Sequence, residues 1–401
     1  MKTALRLIAS LVVGTAAAVC APAYASGYSV FDIGQLTAGT ATYATGVNSS
    51  GQVTGYSYQF DNEGDEINYQ AFVTGANGAG MTGLGTLGGA WSKAWAINDS
   101  GTVVGQSQTA NGDARAFMSG PGNTLTNLGT LGAGTHSVAT GINRFGQVIG
   151  MTMAYSDPAY IYAYGQEGFI TGEHGQNMRS LGTLGGEPLL GTAIGDTEQI
   201  VGRIGNSGGW PSKHFAIGVY NGQPMPLAFS VSRMDAINIH GQTAGEYSPD
   251  GVSNNAFIGD VNGVLIPLDF HNTTGYSYGC AGAFCQYGPA SRSYAFDIND
   301  SGQIAGFFNN SIVAAEYAFV TGPNGQNPVS LDDIVTLAGG DRFISATGIN
   351  NAGQFIANTQ YGHAYLVSPI PEPAMAALWL GGLVLIGRRT LRAGGRRFAP
   401  G

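Results

Sequence analysis

The nine residues INDSGTVVG, Ile97 to Gly105, return almost unchanged two hundred residues later as INDSGQIAG, Ile298 to Gly306. A chain that repeats one phrase at intervals is built from units facing the same local demands, so the repeat constrains the fold before composition does. Seven copies align. They are VNSSGQVTG from Val47, INDSGTVVG from Ile97, INRFGQVIG from Ile142, IGDTEQIVG from Ile194, INIHGQTAG from Ile237, INDSGQIAG from Ile298 and INNAGQFIA from Ile349. The asparagine stands at 48, 98, 143, 238, 299 and 350; in the fourth copy Gly195 takes its place, and the first glycine of the phrase is gone. Steps between copies run from 43 to 61 residues.

Each phrase reads as a hairpin. Asn enters the left-handed region or bonds its own backbone, Gly three residues later accepts positive φ, and apolar residues alternate on either side. A second marker follows each hairpin, an aromatic residue at Phe72, Phe117, Phe169, Phe215, Phe257, Phe319 and Tyr365. A third, LGTLGG from Leu84 and Leu181 and LGTLGAG from Leu128, erodes later in the chain. With the first marker spanning two strands, the three imply four short strands per repeat, the content of one propeller blade. The segment YSVFDIGQLTAG from Tyr28 looks like the third marker, and the repeats end on AYLVSP, the aromatic strand. The expected fold is therefore all-β: a seven-bladed β-propeller over residues 26–369, closed by an N-terminal strand that completes the blade begun at the C-terminus. Such closure leaves no blade unfinished. A parallel solenoid is the competing architecture.

Both ends differ from the repeats. Lys2 and Arg6, the apolar stretch LIASLVVGTAAAV and the small-x-small AYA at Ala23 to Ala25 read as a secretory signal peptide over residues 1–25; a lipoprotein reading at Cys20 lacks the expected preceding leucine. Residues 370–401 begin with Pro371, Glu372 and Pro373, run apolar through 374–386 and turn basic at Arg388 and Arg389. That reads as a short C-terminal membrane helix with its arginines on the cytoplasmic side. Between the ends stand nine basic and twenty-four acidic residues. So acidic a body repels phosphate backbones, and no nucleic-acid partner is expected.

The chemistry-bearing residues do not form a recognisable set. There is no nucleophile elbow, zinc-protease motif or P-loop, and GNSGG from Gly205 reads as a turn. The six histidines are scattered, and Asp61 to Glu66, DNEGDE, lacks the spacing of a calcium loop. No metal, cofactor or catalytic residue is assigned. Cys280 and Cys285 stand in CAGAFC, inside an insertion of about 16 residues between the fifth aromatic marker and the sixth phrase. In an oxidising compartment they are a candidate disulfide, and the surrounding Tyr/Gly/Ser loop is a candidate contact surface.

Hairpin phrase, Ala-Phe pair and LGTLGG, in that order over Tyr28 to Pro369, resemble the HAF family of bacterial extracellular repeats. Pro371-Glu372-Pro373, the apolar helix and the arginine cluster resemble the PEP-CTERM sorting tail. That second resemblance implies recognition by a membrane-embedded exosortase, cleavage near the Pro-Glu-Pro site and delivery to the cell surface or extracellular matrix. Together they lead to the expectation of a non-catalytic surface protein that meets extracellular polysaccharide. The alternative is a secreted enzyme acting on glycans or peptides at the propeller axis, and a simple C-terminal anchor is the alternative for the tail.

Overall fold

A computed structural model describes residues 27–132, 134–153, 165–205, 213–217, 224–226, 231–248, 254–260, 264–270, 280–281, 284–285, 291–310 and 315–370. Seven antiparallel sheets surround one axis, each holding four strands in chain order from the inside outward, with a short extra hairpin strand added to the fourth. The innermost strands are Ala41–Val47, Gly88–Ile97, His136–Ile142, Glu187–Ile194, Val231–Ile237, Ser291–Ile298 and Phe343–Ile349, which define blades 1 to 7.

Blade 7 is the composite one. Its strands Phe343–Ile349, Phe355–Thr359 and Ala364–Pro369 are completed by Tyr28–Asp32, which pairs antiparallel with the last of them from Tyr28↔Pro369 to Asp32↔Tyr365. The sequence-based expectation of a ring sealed by its two ends holds, and the solenoid is excluded. Ile33, directly after the closing strand, is buried among Ala44, Val53 and Phe72 of blade 1 and Ile356, Ala364 and Leu366 of blade 7. One short segment therefore joins the sheet of the last blade and the core of the first.

The hairpin phrase and the aromatic marker fold as a matched pair. The glycine that ends the phrase sits directly across from the aromatic residue of the third strand: Gly55↔Phe72, Gly105↔Phe117, Gly150↔Phe169, Gly202↔Phe215, Gly245↔Phe257 and Gly306↔Phe319. A Cβ at Gly105 would lie 2.1 Å from the Lys93 carbonyl oxygen and 2.9 Å from the Phe117 ring, so only glycine fits. All six phenylalanines are fully buried, filling the space their glycines leave. In blade 7 the pair relaxes to Ala357↔Tyr365, matching the Ala that ends the seventh phrase.

LGTLGG turns out to be less strand and more crossing. In blade 1 the outer strand is only Thr82–Gly83, and Leu84 to Leu87 cross to blade 2, whose first strand begins at Gly88. Gly85 and Gly88 take φ of +72° and +101°, which turns the chain, while Leu84 anchors the crossing at 4% exposure. A motif spaced by two leucines reads equally as a strand or as a turn with two apolar anchors, and sheet pairing decides between them.

A chain beginning at Ile33 leaves the Ala364–Pro369 edge unpaired. It is expected to melt on the order of 10 °C lower than the chain beginning at Ser26 and to aggregate through that edge; scanning calorimetry with light scattering checks both.

Candidate functional site

The seven phrases converge at one mouth of the axis, where the ends of the innermost strands line a funnel of about 350 Å³. Its wall is a ring of hydrogen bonds made by the asparagines. Asn48 Oδ1 accepts from the amides of Ser50 and Gln52 at 3.1 and 3.0 Å, and its Nδ2 donates to Gln52 Oε1 at 2.8 Å and to the Asn98 carbonyl of the next blade at 3.0 Å. The side chain thus uses two acceptor and two donor positions at once. The blade-to-blade bond recurs from Asn98 to Asn143, Asn143 to Gly195, Asn238 to Asn299 and Asn299 to Asn350. Asn350 then closes the circle on the Asn48 carbonyl at 2.8 Å. All six asparagines are buried, which makes each of these bonds costly to lose.

Blade 4 breaks the ring. Gly195 has no amide to give to blade 5, and Gln199, whose counterparts accept from the asparagine of their own phrase, has an Oε1 that meets no donor. The turn is strained as well: Glu198 takes φ of +59° where the other six blades place glycine.

A second layer of coupling comes, in blades 2, 4 and 6, from the aspartate after the phrase's second position. Asp99 Oδ1 accepts from the Ser49 amide at 2.9 Å, Asp196 Oδ1 from the Arg144 amide at 2.9 Å, and Asp300 Oδ1 from the Ile239 amide at 3.3 Å. Every innermost strand also carries a register shift three residues before the phrase's second position, at Thr45, Trp95, Thr140, Thr192, Asp235, Phe296 and Thr347. Where the bulged residue is threonine, its hydroxyl donates to the neighbouring blade: Thr45 to Ala94, Thr140 to Gly191, Thr192 to Met234 and Thr347 to Ala44, at 2.6 to 3.1 Å.

Five aspartates, Asp99, Asp196, Asp235, Asp297 and Asp300, and one base, Arg144, line the funnel. Asp297 accepts from the Ile349 and Ile298 amides, both at 2.8 Å, while burial raises its carboxyl to about 6. Burial likewise raises Asp235, against the pull of Arg233 at 2.6 Å. Outside the funnel, between blades 1 and 2, Lys93 lies over the rings of Tyr69 and Tyr56, at 3.5 and 4.9 Å from their centres, and burial lowers it to about 8 against the opposing charge of Glu66.

The residues singled out from sequence fall mostly elsewhere. Asp61 Oδ1 accepts from the amides of Glu63 and Asp65 at 2.9 Å, so that loop caps its own turn. Cys280 and Cys285 are direct register partners in a two-residue hairpin, Cys280–Ala281 with Phe284–Cys285. Residues 1–25, Pro371, Glu372, Pro373, Arg388, Arg389 and Asn206 of GNSGG lie outside the described residues. Among the described residues, no three His, Cys, Asp or Glu side chains are grouped to hold a metal, and no helix is long and apolar enough to cross a membrane. The bulges, the aspartate couplers and the Lys93 cage were not visible in the sequence, because each depends on a partner from another blade or another strand.

No protein-family model and no curated protein matches the sequence. Among solved structures, the fold is similar to a prolyl endopeptidase from a study of two such enzymes, at 9% identity and a TM-score of 0.52 over 85% of this chain and 52% of that one. It is also similar to Pyrococcus horikoshii acylaminoacyl peptidase (8% identity, TM-score 0.48, 82% and 51%) and to YCF48 from Cyanidioschyzon merolae (7% identity, TM-score 0.49, 86% and 99%). The chain spans about half the length of the two peptidases. At these identities the likeness is one of fold, and a fold does not carry an activity with it.

Two substitutions test the ring. Asn299→Ala strands the amides and carbonyl that this side chain satisfies and is expected to cost about 2–4 kcal/mol. Gly195→Asn supplies the missing link; a Cβ there meets nothing closer than 3.8 Å. It is expected to add about 1–2 kcal/mol, from new hydrogen bonds and a stiffer unfolded chain. Urea unfolding of both variants at one pH reads the difference.

Proposed function

We propose that the chain is an exported, non-catalytic surface protein: a propeller scaffold delivered by its N-terminal signal peptide, sorted through its C-terminal tail by an exosortase and displayed to extracellular polysaccharide. The observation that supports a display role is the closed ring itself. A scaffold tied by side-chain amide hydrogen bonds between six of its seven neighbouring blade pairs and by one strand between its ends holds its surface loops at fixed spacing without needing a ligand to order them. The hairpin carrying Cys280 and Cys285 belongs to this reading as a loop held by a disulfide, since the two residues face each other in register.

The competing reading is a secreted hydrolase with its site at the axis. Its candidate groups among the described residues are the funnel carboxylates, and these are already engaged: Asp99, Asp196, Asp297 and Asp300 each accept a backbone amide, and Asp235 pairs with Arg233. In Asp99, Asp196, Asp297 and Asp300 the accepted amide belongs to a neighbouring blade, and freeing the carboxylate for proton transfer would undo that bond.

Intact-mass spectrometry of the processed protein from an exosortase-bearing host is expected to give a species lacking residues 1–25 and ending close to Pro371. In the same host without the exosortase, the tail is expected to remain. A full-length, membrane-retained product in both hosts would overturn sorting, and release of reducing ends from purified exopolysaccharide would overturn the non-catalytic reading.

A further inference from the structure

The seam between blades 2 and 3 departs from its counterparts at two positions that belong together. At the sixth place of the phrase six blades carry glutamine, and blade 2 carries Thr102. At two other seams that glutamine reaches the next blade: Gln354 Nε2 donates to Asn77 Oδ1 and Gln242 Nε2 to Asn324 Oδ1, both at 3.3 Å. Asn77 and Asn324 stand at φ of +52° and +54° in the turns Ala76–Gly78 and Pro323–Gly325. Blade 3 builds the same turn, Glu173–Gly175, with His174 at φ of +55° in the asparagine's place, a region His enters, like Asn, more readily than most residues. Thr102 lacks the length to span the seam, and its hydroxyl lies instead 3.1 Å from Ser100 Oγ. Asn98 thereby loses the acceptor that Asn48 has in Gln52, and its Nδ2 donates to the Asn143 carbonyl alone.

A cleft of about 730 Å³ lies where that bond is missing, inside the roughly 300–1,000 Å³ of small-molecule sites. Blade 2 lines it with Ser100, Thr102, Asn123 and Thr126, and blade 3 with His174 and Gln176. Met118 and Leu128 supply an apolar surface packed hard against the blade 3 turn: a Cβ at Gly175 would lie 2.7 Å from Met118 Sδ and 3.0 Å from Leu128 Cδ2. Among the described residues, the side chains of Asn123, Thr126, His174 and Gln176 make no hydrogen bond within the chain, and no carboxylate, lysine or arginine lines the cleft. What it offers is amides, hydroxyls and an imidazole, groups that both give and accept. The hydroxyls of a sugar ring need that mixture, and its C–H faces suit Met118 and Leu128. A charged ligand meets no countercharge, and withdrawing its charge from water is costly.

We propose that this cleft is a binding site for a neutral oligosaccharide, held by Asn123, Thr126, His174 and Gln176 over the surface of Met118 and Leu128. The assignment rests on the polysaccharide reading given above and places that contact at one seam of the ring. The ligand occupies the room that a glutamine and an asparagine fill at the seams of blades 5 and 6 and of blades 7 and 1. Two residue changes within a repeat make the site, and the blades on either side keep their four strands. The double variant Thr102→Gln/His174→Asn restores the pairing used at the other seams. It gives Asn98 back its acceptor and is expected to melt no lower than the wild type.

Titration calorimetry of the exported protein with neutral tetrasaccharides of glucose, galactose and mannose is the direct test. At least one is expected to bind the wild type, and to bind the double variant more weakly by on the order of tenfold, since the ligand's polar partners are then occupied or displaced. Hydrogen exchange of the wild type, which needs no variant, is expected to place the protection gained on binding at Thr102 and at His174 to Gln176. Equal affinity in wild type and double variant, or protection gained only elsewhere, overturns the cleft and leaves the polysaccharide reading standing. Failure of every neutral sugar to bind overturns both. Tighter binding of uronic-acid oligosaccharides than of neutral ones overturns the ligand class.

Discussion

Everything in this fold leans on what one buried primary amide does. An asparagine side chain has two lone pairs and two hydrogens, and in Asn48, Asn143, Asn238, Asn299 and Asn350 all are engaged: the oxygen pins its own turn, one hydrogen holds the glutamine that closes the turn, and the other reaches the next blade. Turn and interface are thereby made by the same atoms. In the six blades that carry the asparagine, the group that shapes the hairpin also presents the donor its neighbour needs, so local and global demands coincide there, the condition under which a sequence specifies one structure.

That coincidence explains why a propeller with so few charges has so polar an axis. Burying an amide without partners is costly, whereas burying one that is fully bonded fixes geometry in a way apolar packing does not. The Gly–Phe pairs supply the complementary term away from the axis, with the ring of the third strand lying in the space a missing Cβ leaves on the second. Each blade is thus polar at its inner turn and apolar through its middle. The defect in blade 4 shows the two systems to be separable: Gly195 has lost the amide, yet Gly202↔Phe215 is intact and the blade still forms.

Much of this was legible in advance, for a physical reason. The phrase, the aromatic residue and their order report demands within one blade, which recur in each copy and so stand out as repetition. Ring closure was legible too, because the leftover strand at Tyr28 and the blade ending at Tyr365 each lacked what the other had. The bulge at Thr45, Trp95 and their counterparts was not, since threonine, tryptophan, aspartate and phenylalanine all occupy it and share no signature. LGTLGG was recognised as recurrent but misassigned in part, because the same leucines serve a strand or a crossing. Cys280 and Cys285 were close in sequence, and the hairpin sets them opposite one another.

The closing strand has a consequence for how the molecule comes into being. Ser29 and Ser368 are bonded across 339 residues, and Asn350 reaches Asn48 across 302. The first blade to leave the ribosome therefore lacks a neighbour on one side until the last has been synthesised, and the ring can close only when the final strands are present. A chain of this design stays an open arc for nearly the whole of its production and locks only when its two extremities meet.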